Sequence, residues 1–301
     1  MARMGEAEVP FDVNFVSQGQ GVPVVLIHGL AASLHDWDAL IPLLVESGYS
    51  TYALDLLGHG DSPKPETPAY RMDWLVDHFI AWLERLGLSE PAVLIGHSLG
   101  GYVALEYARR FPQRARGLVL VNPLYSNGQL PTALRLAYAR PGLSSFFLTH
   151  SPRWLVRSVI DITSLFMGHR TGGLHALPED VRAQTTSDYL RTSPGAYGIL
   201  KSDLDLTPHL AAIAVPSLVI WGERDHTLAP ASFADLVRRL PKAIGHSSLT
   251  GHVPHQADAD WFNKEVLTFL VDLPRESAGV TGMVAGTPGE VAFNTQILRK
   301  S

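Results

Sequence analysis

Gly96-His97-Ser98-Leu99-Gly100-Gly101 is the stretch that decides the fold. An apolar run, Ala92 to Ile95, comes before it. A helical pattern of Val103, Ala104, Tyr107, Ala108 and Phe111 follows it. A serine between a strand and a helix of this kind sits on a sharp turn and presents its hydroxyl above the sheet edge. Such a turn is strained, and glycines two residues to either side remove side chains that would clash. The following helix aims backbone N–H groups and its positive dipole end at the same place. A glycine-rich turn with an idle serine is the bland alternative, and the strand before and helix after argue against it.

To either side, short apolar runs alternate with helical periodicities. The runs are Val22 to Ile27, Tyr49 to Leu54, Gly117 to Val121 and Ser217 to Trp221. Most are unbroken, as in central strands buried on both faces. A first antiparallel strand is expected near Phe11 to Val16. Trp37, Leu40, Ile41, Leu44 and Val45 follow helical spacing, as do Leu75, Val76, Phe79, Ile80 and Leu83. Phe233 to Leu240 and Phe262 to Leu273 repeat the pattern. The fold class is therefore α/β, a doubly wound, mostly parallel sheet covered by helices.

From residue 124 to 208 the alternation stops. Helical candidates lie around Thr132 to Tyr138, Arg153 to Phe166 and Glu179 to Leu190. An insertion of this length is too long for a plain connection and reads as a helical cap over a site. A separate small helical domain is the other reading. The core then comprises residues 1–123 and 209–273. Residues 274–301 lack periodicity and are expected to form a mobile tail or a packing arm. Phe146, Phe147, Leu165 and Phe166 supply apolar surface in the cap and are expected to line a substrate pocket, with His97 and Val253 at its base.

A serine hydroxyl needs a base before it attacks. Of 13 histidines, His252 stands out. Leu249-Thr250-Gly251-His252 follows a short candidate strand, Ala243 to Ser248, and precedes the final helix. His255 is the nearby rival. The base needs a carboxylate to fix its tautomer. Asp225 in Trp221-Gly222-Glu223-Arg224-Asp225 follows a strand and completes the chain order Ser, Asp, His, with Glu223 as the alternative. Asn122 follows the preceding strand but cannot carry the charge. In His28-Gly29-Leu30-Ala31-Ala32-Ser33 a tight turn can set the Leu30 N–H opposite that of Leu99, two donors for an oxyanion. His28, His59 and Asp55 read as structural loop residues. The remaining histidines lack metal-ligand spacing, and no metal or organic cofactor is expected.

Composition narrows the function classes. With 301 residues, 46% apolar and 18% charged, the chain has ample material for a core. The net charge of −5 is scattered, without a basic stripe for nucleic acid. The absence of cysteine excludes disulfides and thiol chemistry and fits a cytoplasmic location. No apolar run reaches membrane-span length, and MARMGEAEVP lacks a signal-peptide pattern. The oligomeric state is not legible.

In the order HGLAAS, DLLGHGDS, GHSLGG, WGERD and TGHVPH, these motifs give a chain that from about residue 10 to 273 resembles the α/β-hydrolase superfamily, within it the capped esterase, lipase and C–C hydrolase group. The resemblance implies that Ser98 attacks, Leu30 and Leu99 supply the oxyanion donors, Asp225 orients His252, and a helical cap shapes the acyl pocket. Epoxide hydrolases and haloalkane dehalogenases of the superfamily place an aspartate where this chain has Ser98. C–C hydrolases often carry an aromatic just after the histidine, whereas Val253-Pro254 follow here. The expected reaction is hydrolysis of a small-molecule ester with an uncharged, small to medium acyl group. Cleavage of a vinylogous diketone acid is the alternative.

Overall fold

Seven strands make the main sheet of this computed structural model, which describes residues 3–4, 7–8, 12–66, 70–132, 135, 151–166, 177–202 and 204–274. They are β1 (Phe15–Gln18), β2 (Val22–Ile27), β3 (Tyr49–Leu54), β4 (Ala92–His97), β5 (Ala115–Val121), β6 (Ser217–Gly222) and β7 (Ala243–Ser248). Their spatial order is β1-β3-β2-β4-β5-β6-β7. Only β1 runs antiparallel, pairing Phe15 with Leu54. Every other neighbouring pair is parallel.

The first strand lies later than the Phe11 to Val16 expected from sequence. All four of its residues are exposed. An edge strand with no buried face leaves no alternation by which to read its ends. The central strands are the opposite case. Every residue of β4 is buried, as a strand covered on both faces requires.

The helices are α1 (Ile41–Glu46), α2 (Met72–Leu86), α3 (Leu99–Arg110), α4 (Arg153–Phe166), α5 (Glu179–Arg191), α6 (Pro230–Arg239), α7 (Pro254–Ala257) and α8 (Ala259–Asp272). The stretch from Trp37 to Val45 is not one continuous helix. A 3₁₀ turn at Leu34–Trp37 precedes α1, which has Pro42 in its first turn. Proline lacks the N–H that an earlier helical turn would need.

Two apolar layers flank the sheet. One holds Val25, Ile27, Leu94, Leu118 and Leu120 against Phe79 of α2, Val103 of α3 and Phe233 of α6. The other holds Val24, Leu26, Val93, Ile95, Val119 and Val121 against Trp37, Leu44 of α1, and Phe262 and Val266 of α8. Alternate residues of each strand thus feed opposite layers. Among the described residues no helix is long and apolar enough to cross a membrane.

The sheet is doubly wound. After β2 the chain builds β3 on one side, then crosses to place β4 on the other. The carboxyl ends of β2 and β4 therefore diverge into a crevice, where open α/β sheets bind their ligands. The loop of Leu30 leaves β2 there, and Ser98 leaves β4 there.

Candidate active site

Ser98 is held with φ of 50° and ψ of −109° between β4 and α3. A non-glycine residue at positive φ is strained and persists only where its surroundings fix it. Here Ser98 N–H donates to Val121 O at 2.9 Å, and Ser98 O accepts from Leu124 N–H at 2.9 Å. Both bonds tie the turn to β5 and its exit. Close packing also fixes α3, because a Cβ at Gly100 would stand 2.2 Å from the carbonyl oxygen of Ile27 on β2. Leu99 opens α3, so its N–H has no carbonyl one turn back to bond.

The loops after β6 and β7 are stitched together. Glu223 N–H donates to Ser248 O at 2.9 Å, and Arg224 N–H donates to Thr250 O at 3.0 Å. They approach so closely that a Cβ on Gly222 would lie 2.0 Å from Gly251 O. This contact sets the acid loop against the histidine loop.

The three side chains singled out from sequence meet there. His252 Nε2 lies 3.0 Å from Ser98 Oγ, and His252 Nδ1 lies 2.7 Å from Asp225 Oδ2. Asp225 Oδ1 accepts from Thr227 N–H at 2.7 Å and Leu228 N–H at 3.0 Å. Asp225 is buried. Burial alone would favour its neutral form, but His252, the Leu228 N–H and Asn122 outweigh it and hold the carboxyl below the usual carboxylate range. An ionised acid at Nδ1 keeps the proton there and leaves the Nε2 lone pair for the serine hydroxyl.

Glu223 points elsewhere: it is exposed and accepts from Ser247 Oγ at 2.9 Å. His255 packs on Trp37 with ring centroids 5.1 Å apart, not on Ser98. Asn122, set aside in the sequence for lack of charge, takes part nonetheless. At φ of 41° it turns its amide to donate to Asp225 Oδ2 at 2.7 Å. Asparagine at a strand end tolerates this backbone region better than most residues, and that was the signal available in the sequence.

The structural loop residues behave as read. His28 Nδ1–H donates to Gly29 O at 2.7 Å while Nε2 accepts from Leu56 N–H at 2.9 Å. Asp55 accepts from Leu34 N–H and Asp61 N–H, both at 2.8 Å, bracing the turn around Gly60. Burial pushes the His59 imidazole down to about 3.

Above Ser98 lies a cavity of about 350 Å³. Leu30, Leu99, His97 and Val253 are among its lining residues, as are Leu124, Leu130, Tyr197 and Leu228. Ile160 and Thr163 of α4, Leu177, and Thr185, Asp188 and Tyr189 of α5 line the rest. Leu165 is not among the lining residues. It is half-buried, and on a helix of 3.6 residues per turn it lies about 100° from the buried Ser164. Phe146, Phe147, the side chain of Phe166 and most of the Thr132 to Tyr138 candidate lie outside the described residues. The polar lining residues Asp36, Asp188 and Tyr189 were missed in the sequence because nothing in the local pattern marks them.

Known proteins bear out the architecture. A stretch of 111 residues is 36% identical to bifunctional epoxide hydrolase 2 of Sus scrofa, covering 36% of this chain and 20% of that protein. The match thus spans one fifth of that relative's length. Epoxide hydrolase 4 of Homo sapiens is 28% identical over 286 residues, which is 87% of this chain and 76% of that one. The crystal structure of the esterase RhEst1 from Rhodococcus sp. ECU1013 superposes with a TM-score of 0.72 at 25% identity, covering 87% of this chain and 95% of that chain. The family model of the alpha/beta hydrolase fold matches residues 22–256, and the chain belongs to that family.

Proposed function

We propose that the chain hydrolyses uncharged carboxylic esters through an acyl-enzyme, with Ser98, His252 and Asp225 as its triad. The observation that carries this reading is the continuous relay from Asp225 Oδ2 through His252 to Ser98 Oγ, at 2.7 and 3.0 Å. Both contacts are within hydrogen-bond reach, as a base-activated serine requires.

Ser98 Oγ attacks the ester carbonyl as His252 Nε2 takes its proton. The N–H groups of Leu30 and Leu99 receive the oxyanion. His252 then gives the proton to the leaving alkoxide, which departs as the alcohol. Water, deprotonated at the same nitrogen, attacks the acyl-serine and releases the acid. Asp225 stays ionised throughout and stabilises the imidazolium. Residues 124–208 serve as the cap, with Ile160, Leu177 and Tyr189 over the acyl group.

Two named relatives are epoxide hydrolases. The superfamily resemblance places an aspartate nucleophile in such enzymes, and this chain has Ser98 there. The cavity also favours an uncharged acyl group over a diketone acid. Among the described residues it is lined by no lysine or arginine. A carboxylate of the substrate would find no basic side chain there to pair with.

The test is turnover of p-nitrophenyl esters from acetate to palmitate beside a vinylogous diketone acid, with fluorophosphonate labelling. Ester turnover and a label on Ser98 are expected. Negligible turnover of every ester with fast cleavage of the diketone acid moves the function to C–C bond hydrolysis.

A further inference from the structure

Asp36 of the 3₁₀ turn after β2, His97 at the end of β4 and His255 of α7 meet in one buried cluster beside the triad. Asp36 Oδ2 lies 3.5 Å from His97 Nδ1 and 3.9 Å from His255 Nε2. The side chains of Asp36, His97 and His255 are only 8%, 6% and 1% exposed, so water does not solvate them freely. Yet Asp36 Oδ2, His97 Nδ1 and both ring nitrogens of His255 have no hydrogen-bond partner. Buried polar atoms left in this way are costly and call for an occupant.

The other atoms of the cluster are already engaged. Gln256 Nε2 donates to Asp36 Oδ1 at 3.0 Å. His97 Nε2 lies 3.0 Å from the carbonyl oxygen of His252, which can only accept. A neutral His97 therefore places its one N–H at Nε2. Its Nδ1 lone pair then faces Asp36 Oδ2 at 3.5 Å. Three lone-pair donors thus converge where one cation would satisfy all of them.

We propose that Asp36, His97 and His255 bind one divalent transition-metal ion of the zinc type through Asp36 Oδ2, His97 Nδ1 and a ring nitrogen of His255. Tetrahedral zinc bonds of about 2.0–2.2 Å put ligand atoms roughly 3.3 Å apart. The three atoms all lie within 4.8 Å of one another, so a small contraction completes the site. Two imidazoles and one carboxylate, without thiolate, suit Zn²⁺, Co²⁺ or Ni²⁺ rather than Mg²⁺ or Ca²⁺. Gln256 and the His252 carbonyl act as the outer partners that orient such ligands. Asp36 and His255 also line a second cavity of about 450 Å³, which gives the ion an entry path apart from the substrate cavity. The site does not depend on the ester reading.

Cobalt reports the site directly. The full chain, stripped with chelator, is titrated with CoCl₂ alone. One equivalent with visible ligand-field bands of a tetrahedral site is expected, together with a rise in Tm on adding ZnCl₂ but not MgCl₂. His255→Gln should abolish the bands, and Asp36→Asn should weaken cobalt binding by about tenfold or more. His35→Gln, which removes the exposed His35–Asp38 pair, and Ser98→Ala should both retain them. Absence of bands and of a Tm shift in the wild type overturns the proposal whatever the variants do, leaving a proton shared within the cluster. Bands that survive both His255→Gln and Asp36→Asn, or that vanish in His252→Gln while His255→Gln keeps them, also overturn it.

Discussion

At the sheet edge, Ser98, Asp225 and His252 each lie within four residues of a strand end, on β4, β6 and β7. Over the cavity, by contrast, Ile160, Thr163 and Tyr189 project from helices. Strand ends are placed by hydrogen-bond ladders and by loops stitched to one another, so a side chain there has little freedom. Helix side chains are placed by which face packs inward, and a residue more or less of bulk is absorbed. The difference implies a division of labour. Changes at the edge should switch chemistry off, and changes in the cover should grade selectivity.

The largest effect expected is that of Ser98→Ala. Removing a triad nucleophile should cost on the order of 10⁶ in kcat, leaving what the oxyanion donors and binding supply. Single-turnover and steady-state rates with p-nitrophenyl butyrate measure it. Retention of more than about a hundredth of wild-type kcat would place the nucleophile elsewhere and break the contrast at its strongest point.

Next comes the acid. Asp225→Asn should lower kcat by about 10⁴, because an amide can hold the imidazole in the wrong tautomer. Glu223→Gln should change little, since Glu223 meets Ser247 and not His252. The reverse ranking, on variants whose circular dichroism matches wild type, would show that the carboxylate at the histidine is not the working one.

How far the molecule was legible follows the same division. The central strands β2, β4, β5 and β6 and the turn of Ser98 could be read because burial on both faces writes a nearly unbroken apolar run, whereas β7 has no buried residue and was legible only as the short stretch before the His252 loop. The edge strand β1 could not be placed to the residue, since none of its side chains is buried. The bounds of α4 were legible, but its orientation was not. Its sequence has an apolar face, but Leu155, Val159 and Ile162 of that face are exposed while Val156 and Ile160 are buried, so the stripe does not give the side that packs inward. For that reason Leu165 was expected in the pocket, where Ile160 and Thr163 stand instead. Asn122 was dismissed by a rule about charge, yet its amide donates to the Asp225 carboxylate. The Asp36, His97 and His255 cluster escaped because its members are separated by long stretches of chain, and only the turns after β2 and β4 and the start of α7 bring them together.

The smallest effect is the most specific to the cover. Ile160 is buried, lines the cavity and carries no chemistry. An apolar pocket gains about 0.8 kcal/mol for each buried CH₂, so kcat/KM should rise by up to about fourfold per acyl carbon until the pocket is full, then fall through overpacking. Ile160→Ala removes bulk from the part of the lining that α4 supplies. The optimum acyl length should move to longer chains, with the rate on acetate changed by no more than a few fold. Leu165→Ala, on the same helix but off the lining, should leave the profile where it was. The measurement is the p-nitrophenyl series run on both variants beside wild type, with Tm recorded to separate lost packing from altered selectivity. A profile that shifts equally in both variants would mean that α4 acts through overall stability. A wild-type profile that is flat with chain length would mean that the acyl group does not reach α4 at all.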